Sequence, residues 1–124
     1  NTEGLRVLVV DDNVVNQKLA SKFLQKLGHR VDVVSNGLLA VNQVKAEDYD
    51  IVFMDCQMPE MDGYTATRTI RGNEAEGKRL PIVAMTANAM TGDRENCLAA
   101  GMDHYITKPF KQLDFSEAIT SLVS

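Results

Sequence analysis

The chain changes its hydrophobic period at regular intervals, and this alternation limits its possible folds more than any other feature. Leu5-Arg6-Val7-Leu8-Val9-Val10 is a short, almost unbroken apolar run rich in β-branched residues. Val31-Asp32-Val33-Val34, Ile51-Val52-Phe53-Met54, Ile82-Val83-Ala84-Met85 and Tyr105-Ile106-Thr107 repeat the pattern. Runs apolar on both faces suit strands covered by helices on both sides, as in a parallel sheet. Stretches of helical period lie between them. Val15, Leu19, Phe23 and Leu27 form a stripe widened by Ala20 and Leu24, with Gly28 placed to stop the helix. A second helix is expected over 37–47 with Val41 and Val44 inward, after the turn chemistry of Asn36-Gly37. A third is expected from Gly63 to Arg71, before a charged loop that runs from Gly72 to Arg79. The fourth, near 90–100, has the weakest anchors, Met90, Cys97, Leu98 and two alanines. The fifth, over 111–123, is expected to turn Leu113, Ile119 and Leu122 or Val123 toward the sheet. Five strand-then-helix units with short links predict an α/β fold, an open sheet of five parallel strands joined by right-handed crossovers.

With 124 residues, the chain is expected to form a single domain over 1–124. It opens on Asn1-Thr2-Glu3-Gly4 rather than Met, which is the expectation for a segment excised from a longer protein. Its net charge of −4 argues against nucleic-acid binding, which wants a basic stripe. No apolar run approaches the roughly 18 residues of a membrane span, so no membrane contact by this domain is expected. Cys56 and Cys97 are too few for a disulfide framework or a zinc cluster and read as free thiols in a reducing, cytoplasmic setting.

In an open α/β sheet, ligands bind outside the carboxyl ends of the strands. The first strand ends in Asp11-Asp12-Asn13, the third in Asp55, the fourth in Thr86-Ala87 and the fifth in Lys108-Pro109. Three carboxylates, a hydroxyl and an ammonium are thus expected on one edge. Two like charges 4 Å apart repel by about 4 kcal/mol at an effective dielectric of 20. Lys108 alone cannot offset several such terms, so a divalent cation is the natural counter-charge. An all-oxygen donor set selects Mg²⁺ or Mn²⁺ over zinc. A carboxylate beside such a cation can act as a nucleophile toward a phosphoryl group. The spreading charge is then stabilised by the metal on one side and by Lys108 and Thr86 on the other. Asp55, alone on the central strand, is the candidate nucleophile, and Asp11 and Asp12 are the candidate metal-holding pair.

Over essentially the whole chain the sequence resembles the receiver (response-regulator) domain of two-component phosphorelays. The matching motifs are Val9-Val10-Asp11-Asp12-Asn13, Met54-Asp55-Cys56-Gln57-Met58-Pro59-Glu60-Met61-Asp62-Gly63, Thr86-Ala87 and Lys108-Pro109-Phe110, in that order. The resemblance implies a flavodoxin-like sheet of order 2-1-3-4-5 and a Mg²⁺-dependent phosphoacceptor, Asp55, charged from a phosphohistidine. It further implies that Asp11 and Asp12 hold the metal, Asp12 directly, with Asp55 and the backbone carbonyl of Gln57 as further ligands. Thr86 and Tyr105 match the family's switch pair, and the Lys108-Pro109 bond is expected cis by the same resemblance. The run Asp12-Asn13-Val14-Val15-Asn16-Gln17 and the segment through Ala66-Thr67-Arg68 resemble especially the receivers fused to hybrid sensor kinases. The implied partners are a histidine kinase or a histidine phosphotransfer domain, with the isolated domain a cytoplasmic monomer and membrane anchoring left to the parent chain. Leu38-Leu39, where many such receivers carry Glu, falls on a helix surface.

Blander readings attach to each residue alone. Aspartates after strands often cap the next helix; Thr86 suits a cap, Lys108 a solvated surface and Tyr105 a half-buried strand. Asp62-Gly63 reads as a turn without chemistry, Met58 and Met61 as gap-fillers, and Cys56 as buried filler on the strand face opposite Asp55. His29 and His104 have no carboxylate or Cys partner in sequence, so a phosphohistidine donor is expected from another domain. The competing functions are a stand-alone response regulator, an aspartate-nucleophile phosphatase, a flavin- or nucleotide-binding module and an unphosphorylated receiver-like module. The phosphatase resemblance would need Asp-x-Asp after the first strand and a cap domain; Gly-rich phosphate loops are absent from the sequence. Turnover by the domain itself is left open, beyond its own phosphorylation and dephosphorylation.

Overall fold

The computed structural model describes residues 4–56, 61, 63–74, 79–86, 91–107 and 111–123, and for 91–94 and 123 the backbone alone. Five strands, β1 (Arg6–Val10), β2 (Arg30–Val34), β3 (Ile51–Asp55), β4 (Ile82–Thr86) and β5 (His104–Thr107), alternate with five helices. The helices are α1 (Val14–Lys26), α2 (Gly37–Ala46), α3 (Gly63–Asn73), α4 (Thr91–Ala100) and α5 (Gln112–Val123). All strand pairs are parallel and the order is β2-β1-β3-β4-β5, the expected flavodoxin-like sheet.

Side chains alternate across the strands into two cores. Val7, Val9, Phe53, Val83, Met85 and Ile106 meet Ala20, Leu24 and Phe115 from α1 and α5. Leu8, Val10, Val52, Met54, Ile82 and Ala84 meet Val41, Ile70 and Cys97 from α2, α3 and α4. The rings of Phe53 and Phe115 pack edge to face, 5.0 Å between centroids. Gly28 stops α1 at φ +92°, a left-handed conformation that other residues adopt only under strain. Among the described residues, no helix is long and apolar enough to cross a membrane.

Four expectations from hydrophobic pattern need correction, and helix geometry explains three. Val15 is 71% exposed, Leu98 53% and Leu113 62%. At about 100° per residue, Val15 lies about 140° around α1 from buried Ala20. Leu98 lies about 160° from Ala100, and Leu113 about 160° from Phe115. The inward face of α5 is Phe115, Ala118 and Ile119, so Ile119 was placed correctly and Leu113 was not. Val123 falls outside the described side chains, while Leu122 is partly buried against the core. The fourth correction is β2. It stands at the sheet edge, where Arg30, Asp32 and Val33 are exposed despite the apolar run. Leu38 and Leu39 lie on the helix surface as expected; Met90 is outside the described residues.

At the amino-terminal end of the sheet, charges are paired. Arg71 on α3 donates from Nε to the Gly101 carbonyl (2.9 Å), from Nη1 to Glu74 and the Leu80 carbonyl (both 2.7 Å), and from Nη2 to Asp103 (2.7 Å). Arg79 adds a second bond to Asp103, 2.8 Å. Across the sheet, Arg6 pairs with Glu47 at 3.3 Å and lies over the Tyr49 ring.

Candidate functional site

The carboxyl-terminal rim is built differently. β1 runs to Val10, and the Asp11 amide still donates to the Val34 carbonyl, so Asp11 leaves the sheet in line with its strand. The next residues turn sharply. The Asn13 amide donates to Asp11 Oδ1 at 2.8 Å, and the Asn13 side chain caps α1 by accepting from the amides of Val15 and Asn16. Gln17 Nε2, one turn into α1, donates to the Asp11 carbonyl at 2.5 Å. The side chain that caps α1 is therefore that of Asn13, not that of Asp11 or Asp12.

Asp55 closes β3 beside Met85 of β4. Its backbone is held by close approach: a Cβ at Gly63 would collide with the Asp55 carbonyl oxygen, and the Gly63 amide donates to the Cys56 carbonyl at 3.2 Å. Thr67, fully buried on α3, donates its hydroxyl to the Gly63 carbonyl at 2.7 Å. Gly63 thus seats α3 against the strand that carries Asp55, a role beyond the simple turn read from Asp62-Gly63.

One carboxylate oxygen from each of Asp11, Asp12 and Asp55 lies within 4.8 Å of the other two. Asp11 and Asp55 are buried and Asp12 is exposed. Buried carboxylates drawn this close carry a desolvation cost on top of mutual repulsion. The donor set is wholly carboxylate oxygen, which fits a hard divalent cation such as Mg²⁺.

Thr86, buried, ends β4, with Thr107 as its β5 neighbour; Ala84 pairs with Tyr105. Thr86 and Tyr105 therefore share one face of the sheet, on adjacent strands two residues apart in register. Tyr105 is half-buried against the α2–α4 core, as its pattern suggested. Lys108, Pro109 and Gln57 lie outside the described residues, as do Met58 and Asp62.

Cys56 faces away from Asp55 into the α2–α4 core, where its Sγ is 3.7 Å from Cys97 Sγ. Burial pushes the Cys56 thiol up to about 12, with Cys97 adding to the shift. Burial also raises Tyr64, and the neighbouring Cys56 thiol adds to the shift. His29 is buried and its Nδ1 accepts from the Leu5 amide at 3.3 Å, a structural duty remote from the rim. A recess of about 630 Å³ opens at the amino-terminal end beside Val44, Tyr49, Ile70 and Leu80, away from every carboxylate of the cluster.

The profile described as "Response regulator receiver domain" matches residues 7–120. The chain belongs to the receiver-domain family. It is 46% identical over 116 residues to the sensor protein GacS of Pseudomonas syringae pv. syringae, covering 92% of this chain and 13% of that protein. It is 45% identical over 121 residues to hybrid signal transduction histidine kinase G of Dictyostelium discoideum, covering 96% of this chain and 4% of the kinase. Among solved structures, the receiver domain of sensor histidine kinase PA1611 from Pseudomonas aeruginosa PAO1, crystallised with magnesium in its active-site cleft, superposes with a TM-score of 0.89. It is 47% identical, over 97% of this chain and 98% of that one. The receiver domain of Ssk1, in complex with the Saccharomyces cerevisiae phosphotransfer protein Ypd1, also gives 0.89, at 32% identity over 98% of this chain and 90% of that one. The first curated relatives are much longer, and this receiver spans 15% or less of each.

Asn13, Gln17 and Gly63 are the site-shaping residues that pattern reading missed. Asn13 had a usable signal, since Asn directly before an apolar helical run is a capping residue. Nothing local announces that Gly63 will meet a strand eight residues upstream.

Proposed function

We propose that this receiver accepts a phosphoryl group on Asp55 from a phosphohistidine, in a Mg²⁺-dependent reaction, within a phosphorelay. The observation that carries the reading is the gathering of three carboxylates at one strand-end rim, two of them buried, against their mutual repulsion. Asp11, Asp12 and Asp55, with the Gln57 carbonyl, would hold Mg²⁺, which supplies the positive charge that lets an anionic donor approach and that offsets charge spreading during transfer. A carboxylate oxygen of Asp55 forms a bond to phosphorus as the phosphorus–nitrogen bond of the phosphoimidazole breaks, and the imidazole nitrogen recovers a proton. The Asn13 amide on Asp11 Oδ1 and the Gln17 contact on the Asp11 carbonyl hold the metal-binding pair in place. Lys108 and Thr86 stabilise the added charge. Thr86 and Tyr105 then act as the switch, with Tyr105 occupying the space that the hydroxyl gives up on the face they share.

Asp12, exposed on the rim, suits a donor presented by another folded domain. Val14 is 57% exposed, and with Val15 it forms an apolar step beside the acidic cluster. That step fits a histidine phosphotransfer domain or the histidine-bearing helices of a kinase. The parent chain is read as a hybrid sensor histidine kinase, supported by the kinase relatives that contain a matching segment.

Incubation with Mg²⁺ and acetyl phosphate, followed by intact mass, tests the central claim. A single phosphoryl adduct that disappears in Asp55→Asn is expected; an undiminished adduct in that variant refutes it. Val15→Lys is expected to slow transfer from a phosphotransfer protein at least about tenfold while leaving acetyl phosphate labelling unchanged, since an anchor lost at an interface core costs more than about 1 kcal/mol.

A further inference from the structure

The core between the sheet and helices α2–α4 encloses two thiols from distant parts of the chain. Cys56 directly follows β3 and Cys97 lies in the last turns of α4, 41 residues later. Both are free, at 2% and 1% exposure, and their sulfurs are 3.7 Å apart. A disulfide needs about 2.05 Å between sulfurs, so closure requires less than 2 Å of movement. The site also has a polar component that a purely filling pair does not need. Tyr64, partly exposed at the start of α3, packs against the same core and brings a hydroxyl-bearing ring to its edge.

We propose that Cys56 and Cys97 form a redox-convertible pair, which a hydroperoxide joins into an intramolecular disulfide tying the end of β3 to α4. One thiol sulfur attacks the peroxide, the oxygen–oxygen bond breaks, and a sulfenic acid and water form. The second thiol displaces the sulfenic oxygen as a second water, and the sulfur–sulfur bond closes. Overall, two thiols lose two electrons and two protons to one H₂O₂, which becomes two waters. Enclosure means that the oxidant reaches the pair only as the packing against α3 and α4 opens, so conversion takes minutes to hours. A cross-link between β3 and α4 restricts relative movement of the acidic rim's central strand and the helix beside it. The pair's chemistry does not depend on Asp55 accepting a phosphoryl group, and the test below uses no phosphodonor.

The 124-residue chain, reduced and then exposed to excess H₂O₂, is quenched, denatured, alkylated, and examined by intact mass and peptide mapping. The expected product is a monomer two mass units lighter, with both thiols protected from alkylation and one linked peptide joining the segments around Cys56 and Cys97. Its Tm is expected to rise by about 10 °C, the scale of a loop of this length closed in the unfolded chain, and dithiothreitol should reverse the rise. Cys97→Ser and Cys56→Ala should each abolish the mass loss and the Tm shift. Full alkylation of both thiols after prolonged oxidation would overturn the proposal. So would a product that is a disulfide-linked dimer or carries added oxygen without a cross-link. These readouts come from the unsubstituted chain, so they stand even where a variant folds poorly.

Discussion

The two ends of the sheet treat charge in opposite ways. At the amino-terminal end, Asp103 and Glu74 each receive a guanidinium at 2.7 Å, and Arg71 spends its remaining donors on the carbonyls of Gly101 and Leu80. At the carboxyl-terminal end, three carboxylates are drawn together while their nearby contacts set backbone position: Asn13 turns the chain and Gln17 holds the Asp11 carbonyl. The first end joins carboxylates to guanidinium groups, and the second gathers carboxylates beside one another. The paired end ties α3 to the segments leading into β4 and β5, and the crowded end concentrates negative charge at one point of the rim.

Replacements at the two ends should therefore have opposite signs. The largest effect is on chemistry: Asp12→Asn should cut the initial rate of phosphorylation by acetyl phosphate about a hundredfold, measured by intact mass at fixed Mg²⁺, because one of the carboxylates proposed to hold the metal is lost. Next is Arg71→Met, which strips Asp103 and Glu74 of their shared partner. It should lower unfolding free energy in urea by about 2–3 kcal/mol, below the value for a fully buried pair because Arg79 still reaches Asp103. Addition of Mg²⁺ at ten times its Kd should stabilise the chain by about 1.4 kcal/mol, visible as a higher Tm that EDTA reverses and that Asp12→Asn lacks. Without metal, Asp12→Asn should leave the chain slightly more stable, by about 1 kcal/mol, since a repulsive neighbour is gone. A drop in that condition would erase the contrast between the ends. Leu113→Ser should change stability by less than about 0.5 kcal/mol, as befits an exposed side chain.

The alternation of strand and helix was plain in the sequence because each run has its own period, and the residue at each strand end followed from it. Asp11, Asp12 and Asp55 were legible as a group for that reason, although their strand order came from family resemblance. Edges were not legible. Val31-Asp32-Val33-Val34 carries one charge, as the interior run from Leu5 does with Arg6, and a strand's position in the sheet is decided by pairing with residues elsewhere. The outward turn of Val15 escaped because a stripe sampled every four residues drifts about 40° per step, and those of Leu98 and Leu113 because a few apolar residues in a short helix leave the centre of its buried face ambiguous. Arg71 and Gly63 act on partners that only the closed fold brings near. The stretch from Gly72 to Arg79 read as a loose charged loop, while its flanks belong to the Asp103 network.

Along β3, successive side chains enter different compartments: Phe53 and Asp55 on one side, Met54 and Cys56 on the other. The sheet is thus a partition, with a carboxylate at its rim and a thiol behind it on consecutive residues. A phosphoryl group at the rim and a disulfide behind it would not have to displace one another, so the two proposed modifications together would give four distinguishable forms, with the cross-link restraining the strand that carries both.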